Sequence, residues 1–479
     1  MDGPIPAMQA LPMNRIVPLI LAVALFMEQM DSTVIATALP AIAADLNVGP
    51  ITLKLALTSY MVALAMFIPI SGWMADRFGA KKIFRVAIFV FVIGSICCAF
   101  SSDLLQFVLS RFLQGMGGAM MTPVARLVLL RTTKRSELVS AMALLTIPAL
   151  VGPLTGPPIG GFITTYFTWH WIFLINVPVG VLGIYLSTIF LPEIEATNPP
   201  SIDWRGFFLT SVTAAGTVFG LSVVGLPALP PAVGIAATAL GLAAGVAYVV
   251  HARSHPAPIL NLRLFKDDAF RAASSSGTLF RISTGAIPFL MPLMLQLGFG
   301  LNPFQSGLIT FAGALGALIV KFAARRVFAM TGFKMTLIVS GVLGAATTAA
   351  NGFFTPETSH ALIIAFLLMS GVCRSFFFTG SNALSYSEIS DEQASQATSI
   401  ASVLQQISMA LGVAFAAFIL EASAAVTGTH LQLVDFHLAF FLVAALSLLA
   451  VMPLLKLDPM TGAAVSGHGT PKIQPEAGE

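Results

Sequence analysis

Charge is scarce in this chain. Asp, Glu, Lys and Arg together make up 9% of it, against about 25% in soluble domains. A water-soluble protein with an ordinary charged surface is excluded. The formal net charge of +3 says little by itself, and no nucleic-acid partner is expected. Cysteine is nearly absent too. Cys97, Cys98 and Cys373 all fall in apolar segments, which leaves no disulfide framework and no CxxC metal site. His251 and His255 sit in a basic linker where solvation is the expected role, so neither a metal nor a cofactor is expected. There is no GxxxxGK[ST] run, so ATP hydrolysis in this chain is not expected, and no HExxH or GxSxG constellation points to an enzyme. No cleavable signal peptide is expected either. The first 15 residues are mildly polar and the apolar segment after them is too long for an h-region, so it is expected to stay as a signal anchor.

What fills the chain is apolar sequence: 57% hydrophobic residues and a mean hydropathy of +0.89. Runs of about 20 apolar residues, each long enough for one membrane-spanning helix, recur from end to end. Fourteen spans are expected, near 16–40, 54–75, 83–101, 103–125, 138–163, 170–191, 206–225, 230–250, 270–297, 305–324, 335–354, 360–386, 397–421 and 435–455. The fold class is therefore an all-α polytopic membrane protein. With the N-terminus inside, nineteen of the 24 Lys and Arg fall on inner segments, while the outer loops hold only Lys54. This asymmetry follows the positive-inside rule and places both termini in the cytoplasm. Two spans sit between two blocks of six, a 6+2+6 order that suggests an internal repeat. The expected organisation is a cytoplasmic N-terminus 1–15, a six-helix bundle 16–191, a linker 192–205, two inserted helices 206–250, a basic linker 251–269, a second six-helix bundle 270–455 and a disordered tail 456–479.

Five ionisable groups lie deep in these spans. Glu28 and Asp31 interrupt the first. Asp31 lies fifteen residues beyond Ile16, roughly 22 Å along a helix, well inside a hydrocarbon core of about 30 Å. Charge at that depth is costly, and a functional site is the default reading; the alternative is a structural acid paired with a neighbouring helix. The two acids are i, i+3 and share a helix face. Arg111 in span 4 cannot deprotonate and needs a carboxylate, carbonyls or water, with Glu28 and Asp31 as the obvious partners. Arg281 and Arg374 are equally expensive in spans 9 and 12, and either bind an anion or pair with acids across the cavity. Lys321, near the end of span 10, is expected to snorkel. Glu421 and His437 lie near outer boundaries, where no site is expected.

Five motifs organise the first half. After span 2 comes Gly72-Trp73-Met74-Ala75-Asp76-Arg77-Phe78-Gly79-Ala80-Lys81-Lys82, with glycines for a tight turn and close helix approach and charges able to latch one end of the bundle. Span 4 carries Arg111-Phe112-Leu113-Gln114-Gly115-Met116-Gly117-Gly118-Ala119. Span 5 carries Gly152-Pro153-Leu154-Thr155-Gly156-Pro157-Pro158-Ile159-Gly160-Gly161, where glycines allow close contact and prolines bend the helix. Span 1 continues Met30-Asp31-Ser32-Thr33 to Ala38-Leu39-Pro40, and span 6 opens Trp169-His170-Trp171-Ile172-Phe173-Leu174-Ile175-Asn176-Val177-Pro178. A weaker echo of the first motif, Arg325-Arg326 with Gly332-Phe333-Lys334, follows span 10.

These segments resemble the major facilitator superfamily, and within it the 14-helix drug:H+ antiporters, while Ser381-Asn382-Ala383-Leu384 and Gln405-Gln406-Ile407-Ser408-Met409-Ala410-Leu411-Gly412 resemble later segments of a bacterial MdtD-like subgroup. The loop after span 2 is similar to GxLaDrxGrkxxl, span 4 to RxxqGxgaa, span 5 to gxxxGPxxGG and span 6 to WRWiFliNvPiG, with His170 in place of the usual Arg. The resemblance implies two pseudo-symmetric six-helix bundles and a proton-coupled multidrug exporter of amphipathic small molecules, a multi-pass monomer in the plasma membrane (the inner membrane of a Gram-negative host). From their depth in the spans, Asp31, Glu28 and Arg111 are expected to couple protons, and Glu28, Asp31, Gln114, Arg281 and Arg374 to meet substrate; Glu28, Arg281 and Arg374 depart from the family pattern. Gly72, Asp76, Arg77, Gly79, Lys81 and Lys82 would form a cytoplasmic gate, and Gly152, Gly156, Pro157, Gly160 and Gly161 a hinge. Two alternatives stay open: an exporter of one anionic metabolite or chelate using Arg281 and Arg374, and a membrane sensor or scaffold that transports nothing.

Overall fold

A computed structural model describes residues 13–133, 138–193, 201–225, 229–427 and 431–468. The expected N-terminal segment through residue 12, Lys134 and Arg135, the middle of the first linker, the tail from residue 469 and the side chain of Pro148 lie outside the described residues.

The described chain is helical, with no strand among the described residues. Backbone polar groups in hydrocarbon must be satisfied within their own segment, and helices do that. The first bundle holds α1 (Met13–Asp45), α2 (Lys54–Phe78), α3 (Ala80–Ala99), α4 (Leu104–Thr132), α5 (Leu138–Tyr166) and α6 (His170–Phe190). Two further helices follow, α7 (Trp204–Val223) and α8 (Pro231–Ser254). The second bundle opens with α9 (Asp268–Leu293). The helix Pro303–Ala350 then breaks at Gly332, whose φ of 71° and ψ of 172° are not helical, into two limbs, α10 (303–331) and α11 (333–350). It closes with α12 (His360–Ser385), α13 (Asp391–Thr427) and α14 (Leu433–Leu449). By length and hydropathy alone, eleven stretches of the described residues could cross a membrane, with Pro303–Phe353 counted as one of them although it holds both α10 and α11. The arginines of α4 lower its hydropathy, although it is as long as the others.

The two bundles repeat a turn. Between α2 and α3, Gly79 holds φ 89°, and between α10 and α11, Gly332 holds φ 71°. Both conformations favour glycine, because a Cβ there meets the neighbouring carbonyl. The weak echo in the sequence thus marks equivalent corners of two related halves.

Three apolar clusters show how the halves meet. One mixes side chains of both, among them Ile35, Leu39, Phe107, Phe289, Leu290 and Phe436, at the cation-poor end. The two clusters toward the cation-rich end are separate. One draws on the first half, around Phe84, Phe91 and Val124. The other draws on the second, around Phe328, Leu337 and Phe377. Polar contacts also join the halves at the cation-poor end. Lys54 Nζ lies 2.6 and 2.7 Å from the two carboxylate oxygens of Glu421, Gln296 donates to the Thr37 carbonyl at 3.0 Å, and the Phe304 amide donates to Thr165 Oγ1 at 3.1 Å. Lys54 and Glu421, expected to be plain boundary groups, are instead one buried ion pair across the seam.

The inserted pair lies along this seam. α7 and α8 touch backbone to backbone where Gly216 meets Gly241 and Gly220 meets Gly234. Val218 of α7 packs with Val62 of α2 and Ala410 of α13, one helix from each half. α8 presents Ile235, Leu240, Leu242, Val246 and Val250 outward, the surface a helix shows to lipid.

The described part of the expected tail, residues 456–468, lies against the second half. Lys334 Nζ donates to the Leu457 carbonyl at 2.7 Å, and a short helix Ala463–Ser466 forms between Gly462 and Gly467, both left-handed. Gly462 lies against Phe333, so the tail is fastened to the α10–α11 corner.

Candidate functional site

Asp31 is the centre of a buried hydrogen-bonded network in the first bundle. Arg111 Nη1 donates to its Oδ2 at 2.7 Å and to Gln114 Oε1 at 2.6 Å. Gln114 Nε2 donates to Asp31 Oδ1 at 2.8 Å and to Ser95 Oγ at 2.7 Å. From α6, Asn176 Nδ2 reaches the same two oxygens at 3.0 and 3.1 Å. The Arg111 guanidinium lies 4.3 Å from the centroid of the Tyr60 ring and 5.8 Å from that of Phe173. The side chains of Arg111 and Asp31 are 1% and 0% exposed, which turns the pair into the bundle and away from any open space. The close approach this demands is built from glycine. A Cβ on Gly115 would meet the Tyr60 carbonyl at 2.6 Å, and one on Gly94 the Gln114 backbone at 2.5 Å.

Glu28 is handled differently. Its Oε2 accepts one hydrogen bond, from Thr122 Oγ1 at 2.8 Å, and no Lys or Arg stands within ion-pair distance of it among the described residues. The two acids that the sequence puts on one helix face therefore have separate surroundings, one clamped by a cation and two amides and the other resting on a hydroxyl.

The glycine-proline motif of α5 is an interface. Gly152, Gly156 and Gly160 face α1, where added Cβ atoms would lie 3.0 Å from Gln29 Cβ, 2.1 Å from Thr33 Oγ1 and 2.5 Å from the Val34 carbonyl. Gly161 faces the start of α10, and Pro157 is met there by Gly307. The helix stays continuous through Pro153, Pro157 and Pro158. In the loop after α2, Asp76 pairs with Arg131 at the end of α4 at 2.6 Å, and Lys81 with Glu193 at 3.1 Å. Gly79 makes the corner, but Gly72 takes no part in a close approach: a Cβ there meets nothing within 4 Å.

In the second half, Arg281 donates to Asn382 Oδ1 at 2.8 Å and is 6% exposed, with its guanidinium 5.3 Å from the Phe378 ring centroid. Lys321 donates to Thr379 Oγ1 at 3.1 Å. Two adjoining cavities, of ≈ 250 Å³ and ≈ 150 Å³, lie between the halves, and Arg374 borders both. Of the five residues expected to meet substrate, Arg374 lines these cavities; Glu28, Asp31, Gln114 and Arg281 do not. Ser95 and Tyr60 were not singled out by the sequence, and Asn176 stood there only as a motif letter. The one available signal was a polar side chain inside the apolar run from Ile172 to Val179.

Paired helical bundles with charge buried at their centre and a cavity between them are the construction of a membrane transporter. The chain belongs to the major facilitator superfamily, whose family model matches residues 21–265 and 273–474, and within it to an MdtD-like subgroup. It is 37% identical to the "Putative multidrug resistance protein MdtD" of Pectobacterium atrosepticum over 84% of this chain and 86% of that protein. It is 36% identical to the "Probable transport protein HsrA" of Haemophilus influenzae, again over 84% of this chain and 86% of that one. Among solved structures it is similar in fold to a peptide transporter, with a TM-score of 0.71, 12% identity and coverage of 93% of this chain and 95% of the other. It is also similar to a D-xylose-proton symporter, with a TM-score of 0.68, 13% identity and coverage of 93% and 98%. The chain is thus a multi-pass membrane transporter of small molecules and not an enzyme.

Proposed function

We propose that the chain is a proton-coupled exporter that moves amphipathic small molecules out of the cytoplasm by alternating access. The separate handling of its two buried acids carries this reading. Asp31 is held by Arg111, Gln114 and Asn176, so its charge is compensated where it stands. Glu28 has a hydroxyl partner only, so it can take up a proton without breaking an ion pair. Glu28 is therefore the proton-loading carboxyl, and the Asp31–Arg111 network holds α1 against α4 and α6 while that proton comes and goes. The seal at the cation-poor end and the separate clusters at the other support a cytoplasm-facing arrangement. Export would require the Lys54–Glu421 pair to part and the cation-rich ends of the two halves to close on each other.

Reconstitution tests this. Proteoliposomes with an internal pH dye and an imposed ΔpH receive a panel of cationic, neutral and anionic amphipathic compounds. A compound that triggers proton flux in the wild type and none in Glu28→Gln is the expected result. Transport of the same compound without proton movement would remove the antiport reading.

A further inference from the structure

The charges around the cavity sort by half. Every acid on α1 that could face it is turned elsewhere: Asp31 into its network and Glu28 onto Thr122. No carboxylate lines either cavity. The cations are on the other wall. Lys321 borders the larger cavity, and Arg374 borders both. The other charges buried deep in the spans have a protein partner: Lys54 has Glu421, Arg111 has Asp31, Arg281 has Asn382, and Glu28 has Thr122. Arg374 has no hydrogen bond and no ion pair among the described residues. Its Nη2 lies 3.7 Å from the place a Cβ on Gly313 would occupy, and that absent Cβ leaves the guanidinium room beside the cavity.

A guanidinium stays charged at any physiological pH, and Arg374 is half-buried between the spans, where a charge without a counter-ion is costly. A structural arginine would be paired, as Arg111 and Arg281 are. A fork of donors left open toward a cavity fits a carboxylate, phosphate or sulfonate, which it can grip with two parallel hydrogen bonds. The remaining lining is mostly apolar, with Pro153, Ile287, Met291, Leu367 and Phe378. We infer that the molecule carried is an amphipathic organic anion, its acid group received by Arg374 and its apolar body lying between α5, α9 and α12. This rests on the transport reading above. It also parts Arg374 from Arg281, which acts through Asn382 as a positioning residue on the cavity wall.

The test uses the purified full-length protein in neutral detergent and four probes of one shape: naphthoate, naphthyl phosphate, neutral naphthamide and naphthylmethylammonium. An anion held by a charge-assisted fork should bind at least about tenfold tighter than the neutral amide and raise the thermal midpoint. Arg374→Gln should abolish that advantage, and Arg374→Lys should keep part of it. Without ligand, Arg374→Gln should unfold at no lower temperature than wild type, because no protein partner is lost; a clear fall would overturn the inference by revealing a structural role. It is equally overturned if neither anion raises the wild-type midpoint, or if the advantage survives Arg374→Gln. A midpoint raised through Arg374 by phosphatidylglycerol but by neither small anion makes the occupant a lipid headgroup, which also overturns it. Binding needs no proton coupling, so the two readings fail separately. Proton flux with cationic compounds and no anion preference removes only the anion; anion binding that depends on Arg374 without any flux upholds the site and removes the antiport.

Discussion

The two halves of this transporter share a fold and a glycine corner but spend charge in opposite ways. In the first half, Arg111 and Asp31 are matched, and the amides around them satisfy the remaining oxygens. In the second, Arg281 leans on a neutral amide and Arg374 on nothing among the described residues. A balanced network can stay buried at little cost, whereas an unbalanced cation waits for a counter-charge. The difference supports a division in which one half manages protons and the other receives the acid group of the substrate.

The sharpest way to break that comparison is to unbalance the balanced half. Asp31→Asn leaves Arg111 buried without its counter-ion, and losing one member of a buried pair costs about 3–5 kcal/mol. Thermal unfolding should show a large fall, and proton-coupled transport should be lost with it. Arg111→Gln added to Asp31→Asn should recover most of the stability and none of the transport. If the double variant is no more stable than the single one, the pair is not the unit drawn here. Glu28→Gln probes the other acid. It trades one acceptor for another beside Thr122, so the unfolding midpoint should move little, by at most about 1 kcal/mol, while substrate-triggered proton flux disappears. A Glu28→Gln protein with wild-type flux would return proton loading to Asp31.

Much of the first half was legible because an ionisable residue in an apolar run is conspicuous in one dimension. Glu28, Asp31 and Arg111 needed only their depth to stand out. Their separation into clamped and unclamped acids was not legible, since Ser95, Asn176 and Thr122 are ordinary polar residues until three other helices bring them close. Lys54 and Glu421 lie 367 positions apart, and no local pattern joins a lysine at one boundary to a glutamate at another. Arg281 and Arg374 look alike in sequence, each a lone cation mid-span. What parts them is the neighbour each helix face meets, Asn382 for one and open cavity for the other. The helix of span 10 runs on beyond the apolar stretch, through Arg325 and Arg326 to Gly332, which apolar length alone does not show.

The seam between the halves gives a smaller effect. Lys54 is fully buried and Glu421 15% exposed, so parting them strands a charge that some water can still reach. Glu421→Gln or Lys54→Met alone should cost about 2–3 kcal/mol, below the range for a fully buried pair. The charge swap Lys54→Glu with Glu421→Lys should restore most of it. Cysteine labelling at the cation-poor end should increase in the single variants and return toward wild type in the swap. Unchanged labelling in all three would mean the pair does not hold the seam. At the α1–α5 interface, Gly156→Ala places a Cβ 2.1 Å from Thr33 Oγ1. Overpacking of that kind costs about 1–3 kcal/mol, and its neighbour Gly152→Ala, at 3.0 Å, should cost less in the same unfolding assay.

The smallest effects compare two glycines of one motif. Gly79 holds φ 89° and ψ 128° at the corner between α2 and α3, where an L-residue is strained by about 1–3 kcal/mol. Gly72 lies inside α2 with nothing within 4 Å of its absent Cβ, so Gly72→Ala removes only the conformational penalty of glycine in a helix and gains about 0.5–1 kcal/mol. The two substitutions should therefore move the unfolding midpoint in opposite directions although the residues sit seven positions apart in the same signature. Gly79→Ala should also weaken the Asp76–Arg131 latch beside it, visible as faster labelling of a cysteine placed at the cation-rich end, while Gly72→Ala leaves that rate unchanged. A destabilised Gly72→Ala would mean that another helix comes against that position in a second arrangement of the bundles, and that the glycine is kept for a contact made only after the halves have rocked.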